Sequence, residues 1–95
     1  MNRLTITEIQ IIPVKPNKGL VAFASCVINS QFYIGDIAIH TVPQGDDVRL
    51  VYPAKTLPNG KRINCVHPIN REAGEALKQA IGGKYKEMTA KHEVL

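Results

Sequence analysis

The stretch from Leu20 to Ile28 constrains this chain most, because it is apolar on both sides of an extended backbone. Leu20, Ala22, Ala24, Cys26 and Ile28 project to one side, and Val21, Phe23, Ser25 and Val27 to the other. Side chains alternate across a strand, so a run with two largely apolar faces belongs inside a sheet or under a second layer, either a helix or a partner subunit. Such a strand demands neighbours, and the flanking sequence supplies them. Leu4, Ile6, Ile9, Ile11 and Ile12 form a mostly alternating, β-branched run that reads as a first strand ending at Pro13. Pro13 to Gly19 reads as a turn, with the prolines stopping the ladder and Asn17 and Gly19 suited to positive φ. Asn29-Ser30 reads as a hairpin turn, leading to a third strand over Phe32–Ile39, antiparallel to the second. Gly35-Asp36 within it suggests a bulge or a close backbone approach. After a loop over Pro43–Asp47, Val48–Tyr52 reads as a short fourth strand, with Arg49 and Val51 on one face and Pro53 ending it.

The apolar period then changes from two to between three and four. Ala73, Leu77, Ile81, Tyr85 and Met88 make one helical stripe. Asn70 is placed to cap the first turn, Glu72 and Glu75 lie near the positive end of the macrodipole, and Lys84 and Lys86 near the negative end. Gly82-Gly83 costs about 1 kcal/mol per residue relative to Ala, which predicts a stop or kink there, with Thr89–Leu95 as a frayed tail. The expected fold is therefore α+β, one domain over residues 1–95, with an antiparallel sheet of four strands followed by a C-terminal helix. The chain of 95 residues has three Tyr, two Phe and no Trp, so its core rests on aliphatic side chains. At that size, burial of further surface in a homodimer is expected.

Catalytic and metal chemistry find little support. His67 has Asn64, Cys65 and Asn70 nearby but no paired carboxylates, and a Cys65–His67 pair two apart shares a strand face without activating the thiol. His40 and His92 stand alone, and Asp36 has no carboxylate partner. No glycine-rich phosphate loop precedes a helix, and Gly82-Gly83 falls late in one. The reading is of a non-enzyme without cofactor, metal or small-molecule substrate. Cys26 and Cys65 are far apart and lack metal-ligand spacing. The N-terminus lacks the apolar core of a signal peptide and no run could span a membrane, so the expected location is the cytoplasm.

Charge is more informative. Twelve Lys and Arg against eight Asp and Glu give a formal charge of +4, and no acidic residue occurs between Asp47 and Glu72. Arg49, Lys55, Lys61, Arg62 and Arg71 all fall in that interval, around the tight-turn signature Pro58-Asn59-Gly60. A solvated basic surface and a phosphate-contacting one are equally compatible with this spacing.

The chain resembles the SpoVG family, that of stage V sporulation protein G or septation protein, from about Leu4 to Tyr85. The resemblance rests on Thr7-Glu8-Ile9, Pro13-Val14, Ala22-Phe23-Ala24-Ser25 and Phe32-Tyr33-Ile34-Gly35-Asp36-Ile37. It is carried furthest by Tyr52-Pro53-Ala54-Lys55-Thr56, Pro58-Asn59-Gly60 and His67-Pro68-Ile69-Asn70. It implies a dimeric α+β protein that binds DNA with site preference, in some members also RNA, and acts in bacterial gene regulation with links to sporulation, septation and cell division. It further implies nucleic-acid contact through the basic Pro-to-Thr segment, here Lys55, with Thr56 as a phosphate hydrogen-bond donor. Ala54 stands where members often carry a second basic residue, and the turn is expected to bring Lys61 and Arg62 beside Lys55 in compensation. Arg49 and Arg71 complete the expected contact set. The alternative is a module that binds a protein partner through an apolar sheet face or a strand edge.

Overall fold

Three hairpin connections carry the chain through a four-stranded antiparallel sheet in sequential order: β1 (Ile6–Asn17), β2 (Leu20–Ile28), β3 (Phe32–Thr41) and β4 (Val48–Val51). Next come a two-stranded ribbon, β5 (Ala54–Thr56) and β6 (Arg62–Asn64), and a single helix, α1 (Arg71–Glu93). The computed structural model describes residues 4–43 and 47–93, with side chains up to Thr89. The expected loop over Pro43–Asp47 therefore falls partly outside the described residues, as do Val94, Leu95 and the side chain of His92.

The α+β class, the antiparallel sheet and the C-terminal helix match the sequence expectation. β2 is an inner strand, flanked by β1 and β3, as its two apolar faces require. Ala22, Ala24, Cys26 and Ile28 are buried, and the helix brings Leu77 and Ile81 down on them together with Ile37, Ile39 and Val48. Small side chains on β2 leave room for a close helix. The helix also lies tight against β4 at Gly82, where a Cβ would lie 3.1 Å from Val48 Cγ2. Asn70 caps α1 as expected, its Oδ1 accepting from the Ala73 N–H at 2.8 Å.

Four local expectations are corrected. β1 does not stop at Pro13 but runs on past Pro16 to Asn17. It lies at the sheet's edge, where a missing N–H costs no ladder bond. The β1–β2 turn is made by Lys18 and Gly19, with φ of 54° and 93°, not by Asn17. The helix passes through Gly82-Gly83 without a stop, and its backbone reaches Glu93, through most of the segment read as a frayed tail. Finally, the stretch from Tyr52 to Arg62, expected from its prolines and its Asn59-Gly60 turn to be a contact loop, folds after Pro53 into a paired ribbon.

The β2–β3 turn holds Asn29 and Ser30 at φ of 52° and 57°, the pattern of a type I′ hairpin. A bulge does occur at Gly35-Asp36. The pairs Ala24↔Ile37 and Cys26↔Ile34 leave one extra residue on β3, and Asp36 takes a φ of 57°. A second bulge in β1 places Glu8 at φ 50°, between the pairs Thr7↔Val27 and Gln10↔Ser25. The other sheet face carries Phe23, paired with Ile12 and Ala38, and Val27, paired with Tyr33. The helix lies on the Ala22 face, and Ile12 and Tyr33 remain 63% and 72% exposed.

Candidate nucleic-acid interface

The basic interval folds into the β5–β6 ribbon because its turn chemistry is suited to one. Pro58 sets φ for the first turn position, and Gly60 adopts a φ of 88° that other residues resist. The Gly60 N–H donates to the Leu57 carbonyl and the Leu57 N–H to the Lys61 carbonyl, both at 2.8 Å. The Asn59 side chain accepts from the Lys61 N–H at 3.0 Å, which locks the tip. At the other end the Cys65 N–H donates to the Pro53 carbonyl at 3.1 Å and closes the root.

Register decides how the cations are arranged. Ala54 pairs with Asn64, Lys55 with Ile63 and Thr56 with Arg62. Directly paired residues project to the same side, and successive residues to opposite sides. Thr56 and Arg62 therefore share one face of the ribbon with Ala54 and Asn64. Lys55 shares the other with Ile63, and Lys61, immediately before β6, falls on that side by the same alternation. Lys61 and Arg62 are thus gathered into one small element with Lys55, but on two faces. All four polar residues of this set are exposed.

Arg49 and Arg71 stand on other elements. Arg49 is exposed on β4 opposite His40, on the sheet face turned away from the helix. Arg71 is the first residue of α1, also exposed. Among the described residues the ion pairs are Lys78–Asp47, Lys86–Asp47 and Lys84–Glu87, and none involves these two or a cation of the ribbon.

The remaining candidates have structural roles or none visible. The His67 Nδ1–H donates to the Pro68 carbonyl at 3.0 Å, in the segment between the ribbon and the Asn70 cap. Cys65 is an exposed free thiol, and Cys26 a buried one whose pKa is pushed up by burial. Asp36 is exposed at its bulge. No three His, Cys, Asp or Glu side chains gather as a metal site among the described residues. Tyr52 is half-buried, and burial, with a smaller contribution from Cys26, pushes its phenol up to about 12.

In the sequence Phe32 and Tyr33 read as strand residues and as part of the family resemblance, not as surface features. In the structure they are 68% and 72% exposed and line a groove of about 370 Å³ with Ile34, Gly35, Pro53 and Val66. The available signal was their place beside a hairpin turn, where a sheet has no further layer to cover an aromatic ring.

Comparison with known proteins finds relatives that match nearly the whole chain. The SpoVG family model matches residues 4–87. The "Putative septation protein SpoVG" of Clostridium perfringens is 26% identical over 85 residues, covering 90% of this chain and 92% of that protein. The protein of the same name from Treponema denticola is 27% identical over 78 residues, 82% of each chain. That from Acetivibrio thermocellus is 24% identical over 87 residues, 92% of this chain and 90% of its own.

Proposed function

The chain belongs to the SpoVG family, and on that footing we propose that it is a non-enzymatic, homodimeric, cytoplasmic regulator of gene expression that binds DNA or RNA through the β5–β6 ribbon. One observation carries this reading. Three basic residues of an acid-free interval, Lys55, Lys61 and Arg62, are gathered on an exposed two-stranded ribbon, unpaired with any carboxylate among the described residues. A ribbon of this kind is narrow enough for the major groove of DNA, and its cations release counterions from the phosphates they meet. Lys55 and Lys61 on one face, and Arg62 beside the Thr56 hydroxyl on the other, can reach phosphates on both walls of a groove. In a two-fold dimer a second ribbon would meet a second half-site.

The test is binding to DNA and RNA across a salt series, for the wild type and for a variant with Lys55, Lys61 and Arg62 changed to Ala. The wild-type logarithmic salt slope should lie near −0.9 per duplex phosphate neutralised, and the triple variant should lose up to about three phosphates' worth of that slope. Equal affinity and equal slope for both proteins would rule the ribbon out. A second reading, a protein-binding module, is favoured by the apolar sheet face, where Ile12 and Tyr33 stand exposed. It predicts a partner that survives nuclease treatment and the triple substitution, and is lost on changing Ile12.

A further inference from the structure

We propose that one face of the ribbon reads base edges in the major groove of duplex DNA, with Arg62 set for guanine and Asn64 for adenine. The proposal rests on the nucleic-acid reading of the ribbon and adds what that reading leaves open, the face that meets the bases and the bases it selects. Arg62 thereby turns from the phosphates to the groove floor.

The two faces differ in chemistry. The Lys55↔Ile63 face offers lysines and, in Ile63, an apolar side chain with no hydrogen bond to give. The other face, with the pairs Thr56↔Arg62 and Ala54↔Asn64, offers a hydroxyl, a guanidinium and an amide, and a bare methyl opposite the amide. Thr56, Arg62 and Asn64 are all exposed, and among the described residues none of their side chains makes a hydrogen bond or an ion pair. Asn64 is the most informative of them, because asparagine is disfavoured in strands. Asn29, Asn59 and Asn70 hold turns and a cap by accepting from the Thr5, Lys61 and Ala73 N–H groups. Asn64 has no such role and stands in β6 with its amide in solvent. The ribbon is also a sheet of its own, so the main sheet occupies neither edge and both can lie between the walls of a groove.

These groups match base edges. In the major groove guanine presents two acceptors, O6 and N7, to an arginine fork, and adenine presents the N6 donor and N7 acceptor to an asparagine amide. Lysine is instead a flexible point charge, so Lys55 on β5 and Lys61 just before β6 are left for the phosphates. Arg62 and Asn64 are two residues apart on one strand, on the order of 7 Å. That is close to two base-pair steps of about 3.4 Å each. Ala54, paired with Asn64, presents a methyl group that suits the thymine methyl of the same A·T pair. The preferred duplex thus carries a guanine and an adenine about two steps apart.

The experiment selects binders from a randomised duplex DNA pool with the wild-type chain. It then measures affinity for the selected duplex and for each of its single-base changes, at fixed salt, with the wild type, Arg62→Lys, Asn64→Thr and a Lys55→Ala, Lys61→Ala protein. Arg62→Lys keeps the charge and Asn64→Thr suits a strand, so each removes the reading group alone. For the wild type, changing the guanine or the adenine should weaken binding by roughly 5- to 150-fold. Arg62→Lys should lose that discrimination at the guanine only, and Asn64→Thr at the adenine only. The double lysine variant should bind every duplex more weakly, with a shallower salt slope and its base preferences intact. Circular dichroism checks that each variant is folded; Asn64→Ala replaces Asn64→Thr if that one is not, and the Arg62→Lys arm stands by itself. Undiminished discrimination at either position overturns the reading face, as does a pool from which the wild type enriches no sequence. Stronger enrichment from a single-stranded DNA or an RNA pool overturns it too. In each of these cases a weakened double lysine variant leaves the ribbon reading standing. If that variant and the Lys55, Lys61, Arg62 triple variant both bind like the wild type, the two readings fall together.

Discussion

Gly82 and Gly83 are adjacent in the same helix and look equivalent in the sequence, yet their surroundings give them different roles. Gly82 is buried against β4, and a methyl group there would press on Val48 Cγ2 at 3.1 Å, whereas at Gly83 nothing lies within 4 Å. Gly83→Ala should therefore stabilise the protein by about 1 kcal/mol through helix propensity alone. Gly82→Ala gains the same propensity but must displace Val48, so it should be the less stable of the two. Urea unfolding midpoints of both variants check this, and the reverse order would mean that the helix does not approach β4 so closely. Asp36 teaches a similar lesson. The glycine beside it marked the bulge correctly, but the residue that takes positive φ is Asp36, and the space above Gly35 belongs to the Tyr33 ring. Composition marks where a backbone departs from regularity, while neighbouring atoms decide which residue bears the departure.

Among elements, the contrast lies between the long strands and the short ones. Nine to twelve residues of alternating pattern were enough to mark β1, β2 and β3, although β1 ran through prolines that only an edge position tolerates. Three-residue strands carry no period of their own, so β5 and β6 were visible only through the turn that joins them. The connection between sheet and helix is tied by charge. Asp47, just before β4, meets Lys78 of α1 at 2.8 Å and Lys86 at 4.0 Å. The Lys78 ammonium, followed by the Val48 N–H, holds the Asp47 carboxyl below its usual range, and Asp47 in turn raises Lys78. A depressed carboxylate contributes stability above its ordinary pKa of about 4 and loses it as pH falls through the folded value. The lysine's contribution is complete below its own ordinary value and disappears as pH rises through the raised one. Thermal unfolding between about pH 5 and pH 2 should thus show a smaller acid-side loss in Asp47→Asn than in the wild type. Identical profiles would show that the tether is fully screened by solvent.

At the scale of the whole molecule, the buried core among the described residues comprises nine side chains, aliphatic apart from Cys26, between the helix and the one sheet face it covers. The opposite face, with Phe23 and Val27 half-buried and Ile12 and Tyr33 exposed, has no second layer among the described residues. If the proposed homodimer closes that face, folding and association are linked, and the thermal midpoint should rise with protein concentration, by mass action. A midpoint constant over a hundredfold range of concentration would exclude it. By itself, the sequence determined the class of fold, the inner position of β2, the helix and its Asn70 cap, and the location of the cations, because these follow from periodicity and local turn chemistry. It gathered Lys55, Thr56, Lys61 and Arg62 into one segment but could not sort them between its faces. Only the tertiary structure decided that the segment pairs with itself, that the Lys55↔Ile63 and Thr56↔Arg62 register divides the set between two faces, and that Phe32 and Tyr33 stand open beside its root. Register and exposure depend on which distant backbone groups meet, and no local pattern of side chains encodes that meeting.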